Sequence, residues 1–337
     1  MSLIKYVLRR VALILPILLG VTIVMFTLTY LLPGDPALVR LGGSPAFSQI
    51  EKMREKMGLD KPVYIQYLIY MRDLLSGDLG ICWVTDRPVL EDLKVRFPAT
   101  LELALCGFMI AVITGIPMGV VSAIRRNRLI DHFSRVISIS GLSIPLFWLG
   151  LIFIYVFYFS LNWSPAPIGR LDPGLGPPKT ITGMYIIDSV LTGNWVTLRS
   201  SFMHLILPAA TLALINLAPI ARMVRSTMLD TLGSEYIRME RAAGIPNREV
   251  YKDALRNSMI PILTITGLVF GYMMAGIIVL EQVFSWPGMG LYALQAMEAS
   301  DNDPMQAYIL IMALTFISIN LVVDILYAAI DPRIRYK

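Results

Sequence analysis

Long apolar stretches without a charged residue recur along the chain and are separated by shorter charged segments. The six uncharged stretches are Val11–Leu32, Leu103–Ile124, Val136–Leu161, Leu205–Ala221, Met259–Leu280 and Pro304–Val323. A helix needs about 20 apolar residues to cross the hydrocarbon core of a bilayer, and about 17 is the lower end of the usual range. Leu205–Ala221 has 17 residues, and the other five stretches are longer. The pattern therefore predicts an all-α integral membrane protein with six transmembrane helices.

The composition supports the same class of protein. The chain has 337 residues, of which 56% are hydrophobic and only 16% are charged, whereas a soluble domain carries about a quarter charged residues. We therefore predict one polytopic domain. The first stretch has a basic flank like that of a signal peptide, but it is longer than a typical signal core and closes in a turn at Leu32–Pro36. We expect it to be an uncleaved first helix.

Basic residues are distributed unevenly between the two sides of the membrane. An even number of spans places both termini on one side, and that side holds 17 of the 29 lysines and arginines, including Arg333, Arg335 and Lys337. Cytoplasmic loops carry the excess of basic residues. We therefore expect a multi-pass protein of the cell (inner or plasma) membrane with both termini in the cytoplasm. The net charge of +5 reflects this topology, and we predict no nucleic-acid partner.

The long segment between the first two spans predicts a cap of short helices on the external side. Apolar residues have helical spacing in Gln49–Met57 and Tyr64–Leu75, and glycines and prolines interrupt the segment around them. We divide the chain into residues 1–32, the N-terminal segment and first span; residues 33–102, an external helical loop; and residues 103–337, a core with five transmembrane helices. Within that core, residues 228–258 form a cytoplasmic loop.

Residue types for catalysis, metal binding or ion coupling are scarce. Cys82 and Cys106 are most simply two lone thiols, and the two histidines stand alone on opposite sides of the membrane. No carboxylate lies in the interior of a predicted span, since Glu281 and Asp324 are at span ends. Ionisable residues at membrane depth mark ion and proton pathways. Their absence disfavours ion-coupled transport, and we predict no metal site.

The loop after the fourth span is charged, yet it has the pattern of a short helix. Ser234 suits an N-cap, and Gly244 is placed for a left-handed cap just past the last turn. The residues predicted on one face of this helix are Tyr236, Ile237, Glu240 and Ala243.

A second short helix is predicted after Gly244. Pro246 fits its first turn, where a missing N–H costs nothing. The apolar residues predicted along one side are Val250, Tyr251, Ala254 and Leu255. From the residues alone, an amphipathic hairpin on the lipid surface and a docking platform for another protein explain the loop equally well.

Motifs along nearly the whole chain resemble the dipeptide/oligopeptide subfamily of ABC-importer permeases. In the loop these are ERAAG at Glu240–Gly244 and ALRNSMIP at Ala254–Pro261. The others are LRRVALILPILLGVTIVMF near the amino end, LPGDP at Leu32–Pro36, GDLG at Gly77–Gly80, RFPATLELA at Arg96–Ala104, FSWPGMG at Phe284–Gly290 and NLVVDILYAAIDPRIRY at Asn320–Tyr336. Several motifs in the same order make the resemblance specific.

The resemblance implies a type I ABC-importer permease fold and a role as half of the path for uptake of short peptides. It implies that the first loop helix docks on an ATPase subunit through Glu235, Tyr236, Ile237, Arg238, Met239, Glu240, Arg241, Ala242, Ala243 and Gly244. The implied partners are a second homologous permease subunit, two ATP-binding subunits, an extracytoplasmic substrate-binding protein and membrane lipid.

The chain has no phosphate-binding motif of the form G-x-x-x-x-G-K-[ST]. We therefore expect that it binds no cofactor and is not an enzyme, and that ATP and Mg²⁺ are bound by the partner ATPase subunits. Two positions depart from family patterns. Arg238 occupies a position where an older permease signature has glutamate, and Ala243 occupies a position where the subfamily often has a basic residue. These departures leave open which charged contacts join the chain to the ATPase.

Five residues are candidates for lining the path: Asn216, Pro219, Met273, Met274 and Asn320. A proline inside a span can kink it and open a cavity, or it can simply be tolerated. The asparagines can face the path or bond a neighbouring helix, and the methionines can line a pore or pack.

Two classes of alternative stay open from the residues. One is the same family with another cargo, such as nickel, glutathione, an opine or an oligosaccharide. The other is an ion-coupled secondary transporter, which the lack of carboxylates inside the spans disfavours.

Overall fold

The computed structural model describes residues 3–31, 36–41 and 45–330 of the chain. The predicted turn over residues 32–35 and the basic residues Arg333, Arg335 and Lys337 lie outside this part. The described helices are α1 (Leu3–Leu31), α2 (Pro36–Leu41), α3 (Phe47–Lys56), α4 (Val63–Ser76), α5 (Val89–Ile124), α6 (Leu129–Ser143), α7 (Leu146–Phe153), α8 (Tyr185–Thr192), α9 (Trp195–Leu232), α10 (Glu235–Ala242), α11 (Asn247–Asn257), α12 (Met259–Val283), α13 (Met289–Glu298) and α14 (Asn302–Ile330).

The structure confirms an all-helical membrane protein. Segments of α1, α5, α9, α12 and α14 are long and apolar enough to cross a membrane. In the described residues, extended structure is limited to the antiparallel pair β1 (Ile81–Cys82) and β2 (Arg87–Pro88). The predicted cap helices are present as α3 and α4, and α4 ends where Gly77 adopts a φ of 83°. Glycine occupies this left-handed region without a Cβ penalty.

The predicted third span is not one continuous helix. It consists of α6, α7 and a π-helical turn at Ile154–Ser160. The break lies at Ile144, which is extended with φ −91° and ψ 124°, and at Pro145, which precedes α7. A proline lacks the N–H for the helical ladder and disfavours a helical conformation in the residue before it. The predicted third span, Val136–Leu161, is therefore helical in separate segments, with its break at Ile144 and Pro145.

The second span begins earlier than its uncharged stretch. Helix α5 starts at Val89 and contains 36 residues, and α9 contains 38. At 1.5 Å per residue these helices are about 55 Å long, well beyond the roughly 30 Å of a hydrocarbon core. The last part of the segment assigned to the external loop, up to Glu102, is thus the first turns of α5.

Helices α5 and α9 form the centre of the core. Small residues on α5 allow the two backbones to approach, and Gly119 is the tightest point. A Cβ there would lie 2.6 Å from the Ala221 carbonyl oxygen and 2.6 Å from Cβ of Val224. Close packing at small residues stabilises helix pairs in lipid, because the hydrophobic effect does not favour the association of helices there. Helix α12 packs on both α9 and α14.

Candidate functional site

The segment of α10 and α11, residues 233–258, forms where the sequence predicts it. Ser234 is the residue that precedes α10, as predicted for an N-cap, but its side chain does not cap the helix. Its hydroxyl donates instead to the Thr231 carbonyl at 2.6 Å. Ser234 therefore ties the start of α10 back to the last turn of α9.

Gly244 ends α10 in the conformation that the sequence predicts. Its φ is +76°, its N–H donates to the Arg241 carbonyl at 3.1 Å, and the N–H of Ile245 donates to the Glu240 carbonyl at 3.1 Å. This pair of bonds is the Schellman arrangement, which satisfies the last carbonyls of a helix. Pro246 then directly precedes α11, which begins one residue later than predicted.

One side of α10 is packed into the core. Ile237 is fully buried, as are Met228 on α9 and Val250 and Ala254 on α11, and all four belong to one apolar cluster. Tyr236 packs against the same cluster. These contacts make the segment a fixed platform.

Polar bonds complete the attachment of the platform. The Tyr236 hydroxyl accepts a hydrogen bond of 2.7 Å from the amide of Asn257 on α11. The hydroxyls of Thr231 and Ser258 are 3.0 Å apart and share a hydrogen bond, which joins the end of α9 to the start of α12.

The other side of α10 faces outward. Exposed residues are Glu235, Arg238, Met239, Arg241, Ala242, Ala243 and Gly244. The predicted face of four residues is thus incomplete, because Tyr236, Ile237 and Glu240 turn inward but Ala243 does not. Arg238 and Glu235 form an exposed ion pair at 3.0 Å. Met239 is 69% exposed. The outward side presents mixed charges around one large flexible apolar side chain.

The five path candidates lie on three helices. Met273 and Met274 on α12 are buried within the chain, and Pro219 on α9 is half-buried. The amides of Asn216 and Asn320 each donate to the carbonyl four residues earlier in their own helix, Leu212 and Phe316. Helix α12, which carries the methionines, packs on α9 and α14. The path role of these residues stays a prediction.

Glu281 organises the FSWPGMG motif, a role that its position at a span end did not suggest. Its carboxylate is fully buried. It accepts a 2.6 Å bond from the Thr100 hydroxyl and a 2.9 Å bond from the Leu291 N–H at the start of α13. Trp286 donates its ring N–H to the Ala99 carbonyl at 2.9 Å. The signal in the sequence is the position of Glu281 three residues before FSWPGMG, and nothing in the sequence points to Thr100 as its partner.

A second buried carboxylate, also missed from the sequence, lies at the other end of α5. Asp131 on α6 is fully buried. It accepts hydrogen bonds from the Ser122 hydroxyl and, at 2.9 Å, from the Asn127 N–H. Arg225 on α9 donates from Nε at 2.7 Å and from Nη2 at 2.9 Å. We name these four residues the Asp131 cluster; it joins α5, α6 and α9.

Known proteins resemble this chain over almost its whole length. The family model described as "Binding-protein-dependent transport system inner membrane component" matches residues 115–336, and the one for the N-terminal part of such membrane components matches residues 3–104. The probable D,D-dipeptide transport system permease protein DdpB of Escherichia coli K12 is 43% identical over 94% of this chain and 93% of its own.

Two further relatives cover nearly the same length. The dipeptide transport system permease protein DppB of Alkalihalophilus pseudofirmus is 42% identical over 98% of this chain and 99% of its own. The glutathione transport system permease protein GsiC of Escherichia coli O6:H1 is 39% identical over 99% of each chain. This chain therefore belongs to the family of binding-protein-dependent transport system inner membrane components, the membrane permeases of ABC transporters.

Proposed function

We propose that this chain forms half of the membrane path of an ABC importer for short peptides, driven by ATP hydrolysis in partner subunits. The observation that carries the proposal is the α10–α11 segment, a rigidly anchored helix with an outward side that nothing in the described chain covers. Membership of a family named for binding-protein-dependent transport supports the same role.

In this proposal the outward side of α10 is the coupling surface for an ATPase subunit. Ile237 anchors the helix from below, while Met239 and the charged residues beside it project outward. An exposed methionine adapts its shape to a partner groove at low cost. The segment is then a coupling loop, and both termini and this loop face the cytoplasm.

The proposed mechanism is alternating access. An ATPase dimer that binds one arrangement of two coupling loops more tightly than another shifts the population of the two states. ATP and Mg²⁺ are bound by the ATPase subunits, and this chain supplies contacts and the path. A second, homologous permease chain completes the path, and an external binding protein delivers the cargo.

Peptides of two or three residues are the proposed cargo. Relatives of similar identity are named as dipeptide, D,D-dipeptide and di/tripeptide permeases. The glutathione permease at 39% identity makes that modified tripeptide the second candidate. The spans hold few fixed charges, so a zwitterion meets no strong counter-charge on its way, which suits passage rather than tight binding.

The test is ATP-dependent uptake by the complete complex in liposomes, with labelled dipeptide, tripeptide, glutathione, nickel and oligosaccharide offered separately. We expect uptake of dipeptides or tripeptides that stops when the binding protein is omitted. Uptake of glutathione alone would select the second candidate, and uptake of nickel or sugar alone would refute both. Uptake that follows a proton gradient without ATP would refute the ABC mechanism.

A further inference from the structure

The Asp131 cluster lies on the helix that leads directly into the proposed coupling loop. Arg225 is in the last two turns of α9, which ends at Leu232, and α10 begins at Glu235. The other members belong to different elements: Ser122 to α5, Asn127 to the turn that follows it, and Asp131 to the first turn of α6. One carboxylate thus gathers donors from three neighbouring parts of the chain.

Helix α9 has a weak point between its middle and this cluster. Pro219 is inside the helix, six residues before Arg225. Because a proline has no N–H for the helical ladder, sharp bends in long helices concentrate at such residues. A displacement of α10 would therefore bend α9 at Pro219. Without a connection beyond that point, the displacement would not reach α5 or α6.

The Asp131 cluster supplies that connection. The guanidinium of Arg225 bonds both carboxylate oxygens of Asp131, at 2.7 and 2.9 Å, in the two-pronged geometry that fixes orientation as well as distance. The Ser122 hydroxyl attaches the end of α5 to the same carboxylate. Next to the cluster, Gly119 brings α5 against Ala221 and Val224 of α9. The segment of α9 after Pro219 is thus held to both neighbours.

The chemistry of the cluster indicates more than added stability. Replacing a buried ion pair by well-packed apolar residues is often neutral or stabilising, so such a pair is weak evidence for stability. In this pair the Asp131 side chain is fully buried and the Arg225 side chain is 23% exposed. Leaving the buried carboxylate without the guanidinium is strongly unfavourable, so the pair supplies a defined geometry. An element joined in this way moves together with its partner or breaks the whole cluster.

We propose that Asp131, Arg225 and Ser122 are positioning residues for transport, which make the inner ends of α5, α6 and α9 move as one body with the coupling loop. The proposal rests on the proposed function of that loop. It places the bend of α9 at Pro219. It predicts that loop movement is passed to α6 through the Asp131 carboxylate, and to α5 through this carboxylate together with the Gly119 contact.

The first experiment measures solute transported per ATP hydrolysed in the complete reconstituted complex, with the dipeptide, tripeptide or glutathione that the wild type takes up. Asp131→Asn and Arg225→Gln each remove one charge of the pair. We expect the ratio to fall by at least about fivefold, the lower end of typical coupling between sites. The ATPase subunits should still co-purify. The double variant should lose no more than either single variant, since both changes break one link.

A matched control is available one turn away on the same helix. Arg222 on α9 is exposed, so Arg222→Gln removes an equal charge without touching the cluster, and the ratio should stay at the wild-type value. If Asp131→Asn does not assemble, Ser122→Ala and Arg225→Lys replace it. Both keep the charge pair and weaken its geometry, and a smaller fall is expected. An unchanged ratio in the assembled variants overturns the proposal.

A distance measurement separates this proposal from the proposed function. Spin labels are placed at Arg126→Cys, beside the cluster, and at Arg248→Cys in the coupling loop, both exposed positions. We expect their distance distribution to be the same with ATP and ADP in the wild type, and to differ between nucleotides in Asp131→Asn. A second pair, Arg248→Cys with Glu298→Cys at an exposed position of α13, outside the three joined helices, reports movement of the loop itself.

The two label pairs give distinct outcomes. If the pair of positions 248 and 298 shows no nucleotide-dependent change, the coupling role of the loop fails. The other informative outcome is that the distance in that pair changes with nucleotide and the distance between positions 126 and 248 changes by the same amount in the wild type. The loop would then couple to the ATPase, but the Asp131 cluster would not carry its movement.

Discussion

Thr100 on α5 donates a hydrogen bond of 2.6 Å to Oε1 of Glu281 on α12, and both residues are fully buried. The same threonine hydroxyl accepts the N–H of Met289, the first residue of α13, at 2.8 Å. Glu281 itself accepts the Leu291 N–H. Two motifs far apart in the chain, RFPATLELA and FSWPGMG, are therefore two halves of one hydrogen-bonded unit.

Replacing Thr100 by Val should destabilise this unit, because Val has nearly the same shape but neither donates to Glu281 nor accepts from Met289. We expect a loss of about 1–3 kcal/mol in free energy of unfolding, the usual cost of leaving a buried polar group without its partner. Thermal unfolding in detergent measures it. Thr114→Val is the control, since the Thr114 hydroxyl bonds only carbonyls of its own helix. Equal effects of the two substitutions would contradict the assignment.

Gly288→Ala should disrupt the same unit through sterics. A Cβ at Gly288 would overlap the carboxylate of Glu281, and a movement of the carboxylate away from it would break its bonds from Thr100 and Leu291. We expect a large drop in melting temperature, whereas Gly176→Ala should be tolerated because a Cβ there meets no atom within 4 Å. A melting temperature for Gly288→Ala within error of the wild type would show that the loop repacks freely.

Substitution of Gly244 should affect coupling more than folding. Its φ is +76°, and a Cβ there would meet no atom within 4 Å, so the cost of a side chain is in the backbone alone. We expect Gly244→Ala to lower the free energy of unfolding by about 1–2 kcal/mol, and the β-branched Gly244→Val to lower it by more. The protein should reach the membrane, but substrate-stimulated ATPase activity should be uncoupled or lost.

The control for Gly244 is Gly233→Ala, at the other end of α10. Gly233 has a right-handed helical conformation, and a Cβ there makes only ordinary contacts at 3.5 Å and beyond. Transport should be nearly unchanged. Normal coupled transport in Gly244→Val would refute the role of the loop.

Asp188 should make the stability of the segment before α9 depend on pH. Burial alone would raise the pKa of this carboxylate, but hydrogen bonds from Thr182 and from the Ile181 and Gly183 N–H groups outweigh it and lower the pKa below the usual value. A group with a lowered pKa in the folded state stabilises the fold above its unfolded pKa, about 4. That stabilisation is lost as pH falls through the folded pKa.

The measurement compares melting temperatures of the wild type and Asp188→Asn from pH 7 to pH 3. The wild type should melt higher at pH 7, and the difference should narrow below about pH 4 as the carboxylate is protonated. A difference that is constant over this range would show that the charge of Asp188 has no part in stability.

Thiol labelling should reveal the membrane orientation. Cys82 is free but fully buried, so the label sites are introduced at exposed positions. Asp86→Cys, in the exposed turn between β1 and β2, should react with an impermeant reagent in intact cells. Arg248→Cys, at an exposed position of α11, should react only after permeabilisation. The opposite pattern would invert the proposed topology.

Much of the architecture follows from the sequence through local rules. Uncharged stretches long enough for a bilayer predict the spans, because lipid leaves backbone groups no partner except those within a helix. Gly244 predicts the end of α10 because its left-handed conformation is set within a few neighbouring residues. The motifs identify the family because they are preserved in order along the chain.

Only the tertiary structure decided which polar groups meet. Asp131 and Arg225 are separated by 94 positions and Thr100 and Glu281 by 181, so no periodicity or spacing pairs them. Each carboxylate was visible in the sequence merely as a charge near a span end. Its partners are selected when α5 packs on α9 and α12, because burial then makes every unbonded polar group costly. Pro145 coincides with a break between α6 and α7, whereas Pro208 and Pro219 lie inside α9 without interrupting it. Whether a proline breaks a helix therefore depends on the packing around it as well as on the proline itself.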